Sequence, residues 1–256
     1  MNLQVLMSVM NQSHDIVSKA NIQSDAIIVN QCDTFKKEVF DHNGHRIQFL
    51  SFDERGVGLS RNSALMRADA DIVLMSDDDV VYADGYRDLI LSEFRDNPEA
   101  DMIVFNVPSV DASRGTSTIR KLERVRKFNS LRYATYQMAF RREKILEKNI
   151  FFSLLFGGGA KYLSGEDSLF IFTVLGSGLK VYKSPAEIGR VHHTTSTWFE
   201  GYTDRYFRDR GTLYRSLSPR FYLPLIAQFV IRKHKVVGEG RTRREMFQLM
   251  REGAQR

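Results

Sequence analysis

Four apolar residues, Ile72, Val73, Leu74 and Met75, run through Ser76 directly into three consecutive carboxylates, Asp77, Asp78 and Asp79. An unbroken apolar run of this length reads as a strand buried on both faces. In an open α/β sheet, ligands bind beyond the carboxyl ends of such strands. Three adjacent like charges repel unless a cation or water offsets them, and a buried strand end offers less water than a loop tip. Two readings stay open for the stretch. It is an acidic turn in which Asp79 or Asp84 caps the next helix, or a place where a hard cation and its anionic ligand meet.

The surrounding chain repeats a strand-then-helix order. Residues 3–9, 25–29 and 47–52 are apolar strands, and the second runs into Asn30, Gln31 and Asp33. Gly56, Gly58 and Ser60 open a helix to residue 67, with Ser60 as its cap. A further helix covers about 83–96, ahead of Pro98, and residues 100–107 form a fifth strand. Apolar strands alternating with helices predict an α/β fold with a mostly parallel central sheet flanked by helices. After Pro108 the pattern changes: residues 111–118 read as a polar loop, 119–127 as a surface helix, 136–141 as a short strand and 142–148 as a helix. Gly157, Gly158 and Gly159 let the backbone approach a ligand closely or close over it, or form a plain surface loop. Glu166 and Asp167 begin an apolar helix over 168–175, where they either cap it or carry chemistry.

The 256 residues are enough for one sizeable core with an elaboration. Cys32 is the only cysteine, so no internal disulfide forms and a reducing compartment fits. The N-terminus lacks a basic region ahead of a long apolar core and reads as a strand, not a signal peptide. Residues 221–231 are apolar but fall short of the about 20 needed to cross a bilayer. Charge is unevenly placed: residues 205–256 hold 13 Lys and Arg against 4 Asp and Glu, a balance of +9, which leaves residues 1–204 at −3. A basic segment next to an apolar run suits an anionic membrane face, or is a solvated basic helix. Basic residues confined to a tail argue against a nucleic-acid reading surface. Tyr202, Tyr206, Arg210 and Tyr214 fall at helical spacing, which suits packing more than substrate contact. Trp198 is a core or rim aromatic on which a sugar ring could stack.

In this order, these motifs resemble the GT-A fold glycosyltransferases, in particular the large inverting family two of bacterial polysaccharide synthesis. The resemblance covers residues 3–197. It implies that Val9 and Asn11, at the exit of the first strand, hold the nucleotide base together with Asp33. The segment "GVGLSRNSAL", with Arg61 and Asn62, resembles the family's stretch beneath the nucleotide. Asp77-x-Asp79 matches the DxD motif, in which Asp77 approaches the ribose, Asp79 binds the metal with Asp77 beside it, and Asp78 adds to the nucleotide-sugar contacts. Gly158 and Gly159 match the glycine loop, and "SGED" matches the acidic pair of Glu166 and the base Asp167. "RVHH" matches the late metal-ligating histidine, for which His193 is preferred over His192. The second strand departs from the family in ending "NQCD".

The resemblance therefore implies a metal-assisted inverting transferase that moves a sugar from a nucleotide diphosphate, UDP first among them, to a saccharide or lipid-linked saccharide. Oxygen ligands with one imidazole suit Mn²⁺ or Mg²⁺. Residues 1–200 form the catalytic domain, with 1–107 binding nucleotide and 108–200 serving the acceptor. Residues 201–256 form a basic helical extension that contacts the inner face of the membrane from the cytoplasm. A nucleotidyltransferase or nucleotide-sugar hydrolase on a related fold is the competing enzyme class, and a non-catalytic basic module that binds membrane or nucleic acid is the competing non-enzyme.

Overall fold

A computed structural model of the chain describes residues 1–111, 118–192 and 201–255. Strand β1 (Leu3–Met10) pairs in parallel with β2 (Asp25–Cys32) on one side and β5 (Ile72–Asp77) on the other. β2 pairs in parallel with β4 (His45–Asp53), and β3 (Lys36–His42) closes that edge in antiparallel register. On the far side, β9 (Met138–Arg141) lies antiparallel between β5 and β7 (Met102–Asn106), followed by β10 (Val181–Glu187) and β8 (Glu123–Arg124). The nine-stranded order is β3-β4-β2-β1-β5-β9-β7-β10-β8. Continuous burial along β1, β2, β5 and β7 explains why their sequences are apolar throughout, since helices cover both faces of the sheet.

This is the mixed α/β sheet the strand runs predict, parallel through β4-β2-β1-β5 and antiparallel wherever β3, β8 or β9 pairs. One element goes beyond the strand runs and two local expectations need correction. The hairpin strand β3 turns at Asn43 and Gly44, both with positive φ (53° and 80°) as a two-residue hairpin requires. The Asn-Gly pair was its sequence signal. Helix α2 (Val57–Leu65) is preceded by Gly56 at φ 129°, not capped by Ser60. Ser60 sits inside the helix, fully buried, with its hydroxyl 2.8 Å from that of Ser8. The expected surface helix at 119–127 is instead β8 with a 3₁₀ turn at Lys127–Asn129, because Glu123 and Arg124 pair with Lys183 and Tyr182.

The other helices follow the pattern: α1 (Ile16–Lys19), α3 (Tyr86–Asp96), α4 (Arg142–Glu147) and α5 (Glu166–Gly176). A two-stranded ladder joins β6 (Val80–Tyr82) to β11 (Gly189–Val191). The C-terminal segment folds into α6 (Asp204–Leu217), α7 (Tyr222–Val237) and α8 (Arg243–Ala254). Thr203 caps α6, and Thr242 caps α8 in a reciprocal box with Glu245. Their core joins Phe207, Leu213, Ile226 and Met250 to Phe156 of the preceding loop. No helix among the described residues is long and apolar enough to cross a membrane.

Helices α6 and α8 approach so closely that each needs a residue without a side chain. A Cβ on Gly211 would lie 1.8 Å from the Met250 carbonyl oxygen, and one on Gly253 would lie 1.9 Å from that of Arg208. Both obstacles are helical backbone, which cannot step aside. Gly211→Ala is expected to cost about 1–3 kcal/mol through overpacking, read as a fall of several degrees in the melting temperature. An unchanged melting temperature would show that the two helices are not in this contact in solution.

Candidate active site

The register of β1, β2 and β5 brings their carboxyl ends to one edge. Ser8 lies opposite Asp77, and Met10 lies opposite Gln31. Past β1, Asn11 turns with φ 51° and donates its N–H to the Gln31 carbonyl. The Asn30 side chain straps the turn, accepting from the Gln12 N–H at 3.0 Å and donating to the Gln12 carbonyl at 3.1 Å. A cleft of about 400 Å³ opens there, lined by Asn11, Gln12, Asn30, Cys32 and Ser51 among others. The side chain of Val9 is buried in the core, so only its backbone borders this edge. Asp33, expected to contact the base, points outward and is paired with Arg55.

At the end of β5 the three carboxylates have separate surroundings. Asp77 accepts from Arg61 at 2.7 Å, and Asp78 accepts from the Gln12 amide at 3.4 Å. Burial and the adjacent Asp77 raise the Asp78 pKa. Burial, then Asp77 and Asp78, push Asp79 up to about 6. The Asp79 carbonyl accepts the His192 N–H at 2.8 Å, because β11 runs alongside β6. His192 is exposed at this point. His193 and Trp198 lie outside the described residues.

Arg61 connects these carboxylates to those of α5. Its guanidinium is 4% exposed, with one terminal nitrogen on Asp77 and the other 2.9 Å from Glu166. It lies 5.5 Å from the Phe152 ring, which stacks on Phe170 at 4.0 Å. Arg61 and Asn62, expected in the segment beneath the nucleotide, both bind within the protein. Asn62 is buried and binds the Phe152 backbone twice, at 2.7 and 2.9 Å, holding the 150–153 segment on α2.

The glycine loop closes over the start of α2. Val57 N–H donates to the Gly158 carbonyl at 2.9 Å, and a Cβ on Gly159 would lie 2.9 Å from the Gly56 nitrogen. Gly157, at φ 108°, leaves room for the Glu166 carboxylate, which a Cβ there would meet at 2.9 Å. The close approach expected of Gly157 and Gly159 is thus made to protein. Gly165, at φ 124°, leads into α5, where Asp167 accepts the Ser168 N–H at 2.6 Å. Burial, then Glu166, push the Asp167 carboxyl up to about 6, while the Ser168 N–H, Arg61 and Arg210 oppose the rise. Tyr136, on a short 3₁₀ turn at Thr135–Gln137, stands where the two acidic groups converge. Burial and the charges of Asp77, Asp79 and Asp167 raise its pKa. Nothing in the sequence sets Tyr136 apart from the other nine tyrosines.

Residues 8–156 match the family described as glycosyl transferase family 2, more than half of the chain. The chain belongs to glycosyl transferase family 2. As a member it is a glycosyltransferase. Among curated protein sequences, none matches it. Among solved structures, the Staphylococcus aureus TarS fragment 1–349 in complex with UDP-GlcNAc is similar, with TM-score 0.66 and 16% identity over 94% of this chain and 74% of that one. The mannosyltransferase PcManGT from Pyrobaculum calidifontis, in complex with GDP-Man and Mn²⁺, is similar with TM-score 0.54 and 14% identity over 99% of this chain and 69% of that one. At these identities the likeness is one of fold.

Asp77 and Glu166 share the Arg61 guanidinium, and Asp78, Asp79 and Asp167 add further negative charge at the two ends of that pairing. No group of three or more His, Cys, Asp or Glu side chains among the described residues is gathered closely enough to hold a metal by itself. Asp79 and Asp77 are hard oxygen donors, and crowding between like charges is what a divalent cation would relieve. The donor set fits Mn²⁺ or Mg²⁺.

The Asp167 carboxyl has a folded-state pKa of about 6, above its ordinary 3.8, so folding favours the protonated form. Its contribution to stability is present at acid pH and is lost as pH rises from about 4 through 6. In the absence of metal and donor, Asp167→Asn is expected to melt higher than the wild type at pH 7.5, with the gap closing towards pH 4. A lower melting temperature for the variant at pH 7.5 would contradict this environment for Asp167.

Proposed function

We propose that the enzyme is an inverting, metal-assisted glycosyltransferase that uses a nucleoside diphosphate sugar, UDP-linked first, and a saccharide or lipid-linked saccharide acceptor. The observation that carries the reading is the pair of acidic groups on either side of Arg61, one at the end of β5 and one at the start of α5. The first group suits the diphosphate of a donor lying along the sheet edge. A cation held by Asp79, Asp77 and His193 would, when bound, stabilise negative charge on the departing diphosphate. Asp167, lifted to about 6, is ionised at neutral pH yet basic enough to accept a proton.

The chemistry then balances in one displacement. The acceptor hydroxyl oxygen attacks the anomeric carbon, the bond from that carbon to the β-phosphate oxygen breaks, and the hydroxyl proton passes to Asp167. Nucleoside diphosphate leaves, and configuration at the anomeric carbon inverts. Glu166, occupied by Arg61, orients the pair and leaves Asp167 as the proton acceptor. The cleft at Asn11, Gln12 and Asn30 suits the nucleoside. Within this reading, residues 1–107 bind donor, 108–200 serve acceptor and catalysis, and 201–256 form the extension. The bound structures of TarS with UDP-GlcNAc and of PcManGT with GDP-Man and Mn²⁺ support the donor class and metal by analogy.

The test is nucleotide release from a panel of UDP-, GDP-, CMP- and dTDP-sugars with and without Mn²⁺, water standing in for the acceptor. Metal-dependent release of nucleoside diphosphate from one donor is expected, abolished in Asp79→Ala and reduced at least about a hundredfold in Asp167→Asn, the scale of a lost general base. Release of pyrophosphate would transfer the protein to the nucleotidyltransferases, and full activity in Asp167→Asn would remove the base assignment.

The extension suits the cytoplasmic face of an anionic membrane, where a lipid-linked acceptor would lie. Around α7 it exposes Phe221, Leu223, Ile231 and Val236, each at least 40% exposed, next to exposed Arg220, Arg232, Lys233 and Lys235. Apolar side chains to enter the interface and cations to meet its charge belong together on one helix. The double variant Phe221→Ser, Ile231→Ser is expected to lose co-sedimentation with phosphatidylglycerol vesicles that the wild type shows at low salt. Equal binding of both proteins would reject the contact.

A further inference from the structure

A basic surface outside the C-terminal extension has no part in the site. Residues 120–132 hold Arg120, Lys121, Arg124, Arg126, Lys127 and Arg132 against one acid, Glu123, a balance of +5. All six cations are exposed. Glu123 is shared between Lys121 and Lys183, and among the described residues no carboxylate pairs with Arg120, Arg126 or Arg132.

In the middle of these charges Phe128 is 85% exposed, more than any other large apolar side chain among the described residues, and Leu122 is 41% exposed. The turn that presents Phe128 is closed by its own hydrogen bonds. The Asn129 side chain accepts the Arg126 N–H at 2.9 Å, and the Ser130 hydroxyl donates to the Lys127 carbonyl at 2.9 Å. Val125 and Ser130 anchor it on either side, both buried, and the Val125 N–H donates to the Val181 carbonyl at 2.8 Å. A closed turn between two buried anchors thus holds an aromatic ring in water, where it contributes nothing to the core.

Helix α5 links this turn to the C-terminal helices. At its end, the Lys127 ammonium lies 5.0 Å from the Phe172 ring centroid, and a Cβ on Gly176 would lie 3.5 Å from the Lys127 Nζ. At its start, Leu213 of α6 fills the space at Gly165, where an added Cβ would lie 2.7 Å from its methyl groups, and Asp209 accepts the Leu163 N–H at 3.1 Å. Leu131 and Phe172 pack on the same apolar cluster as Tyr222 and Leu225 of α7. The turn and α7 therefore share one support. Lys127 meets α5 about 15 Å by helical rise from Glu166, so changes at the turn leave the acids and the donor cleft in place.

We propose that residues 120–132 are a second docking surface for an anionic lipid bilayer, with Phe128 and Leu122 entering the interface and the cations meeting the headgroups. Cations alone would suit any polyanion, a charged saccharide included. An exposed aromatic ring among them selects a partner with an apolar layer beneath its charge. The surface extends the membrane contact proposed for α7 but stands on different residues, so each can fail without the other.

The test is co-sedimentation of the full chain with phosphatidylglycerol–phosphatidylcholine vesicles at low salt, which needs no turnover. Phe128→Ser is expected to lower the vesicle partition coefficient about fivefold or more, and Arg126→Gln about fivefold. Partition of Phe128→Ser equal to the wild type would overturn the proposal, whether or not the Phe221→Ser, Ile231→Ser variant loses binding. Loss in Arg126→Gln with none in Phe128→Ser would make the surface a site for a soluble polyanion and overturn it equally. Loss in Phe128→Ser, with the α7 double variant still bound, would uphold this surface and reject the α7 contact. The second readout is Phe128→Trp: its emission, taken as the difference from the wild type with its single Trp198, is expected to shift to the blue and to be quenched by brominated lipid when anionic vesicles are added. A difference spectrum unmoved by vesicles would overturn the proposal. Nucleotide release without vesicles is expected to be unchanged in all three variants, so the transferase reading stands or falls on its own assay.

Discussion

One buried guanidinium ties the two halves of the site together. Arg61 has no water to solvate it, so both terminal nitrogens must be answered by carboxylates. Those carboxylates, Asp77 and Glu166, come from β5 and α5, elements 89 residues apart in sequence. Leaving either one unanswered would strand a charge in the interior, a penalty of several kcal/mol. The distance between the end of the strand and the start of the helix is therefore set by the span of one planar side chain. Around that span the glycine loop, the Phe152 ring and the paired hydrogen bonds of Asn62 all arrange themselves.

That constraint also accounts for the division of labour among the acids. Glu166 and Asp167 are neighbours in sequence, but Glu166 is committed to Arg61 whereas Asp167 is pushed up to about 6 by burial and by Glu166 itself. Asp77 and Asp79 divide in the same way, the first bound to Arg61 and the second pushed up to about 6 by burial and its acidic neighbours. Each acidic pair thus contains one residue that holds Arg61 and one that does not.

Much of this was legible in the sequence because it rests on short-range signals. Apolar runs ending in polar residues revealed the parallel strands, and the order of Asp77 to Asp79, the glycines and Glu166-Asp167 revealed the family. What escaped depends on partners distant in sequence. The insertion of β9 between β5 and β7 is decided by edge pairing, and no local pattern encodes it. Glu123 and Arg124 form a strand only because β10 offers an edge. The pairing of Arg61 with Asp77 and Glu166 was hidden in the same way, since its spacing names neither partner. The Asn43-Gly44 hairpin is different: its signal was local and was passed over. Arg210 read as packing, and its contacts with Tyr206 and Phe229 agree.

The fit of α6 against the residues before α5 bears on how such a chain can be recombined. A chimera cut at residue 200 would set a foreign α6 on Gly165, where only a side chain shaped like Leu213 fills the gap, and on Leu163, whose N–H needs an acceptor like Asp209. A cut at Pro219 fares no better, because α8 would be lost from the groove that Gly211 opens for it. The exchangeable block begins where the family match ends, at residue 156, and runs through α8, with Gly157, Gly159 and Glu166 retained to seat it against α2. The loop after residue 156, α5 and the C-terminal helices travel as one cassette, so a change in the loop and a new tail would have to be acquired together.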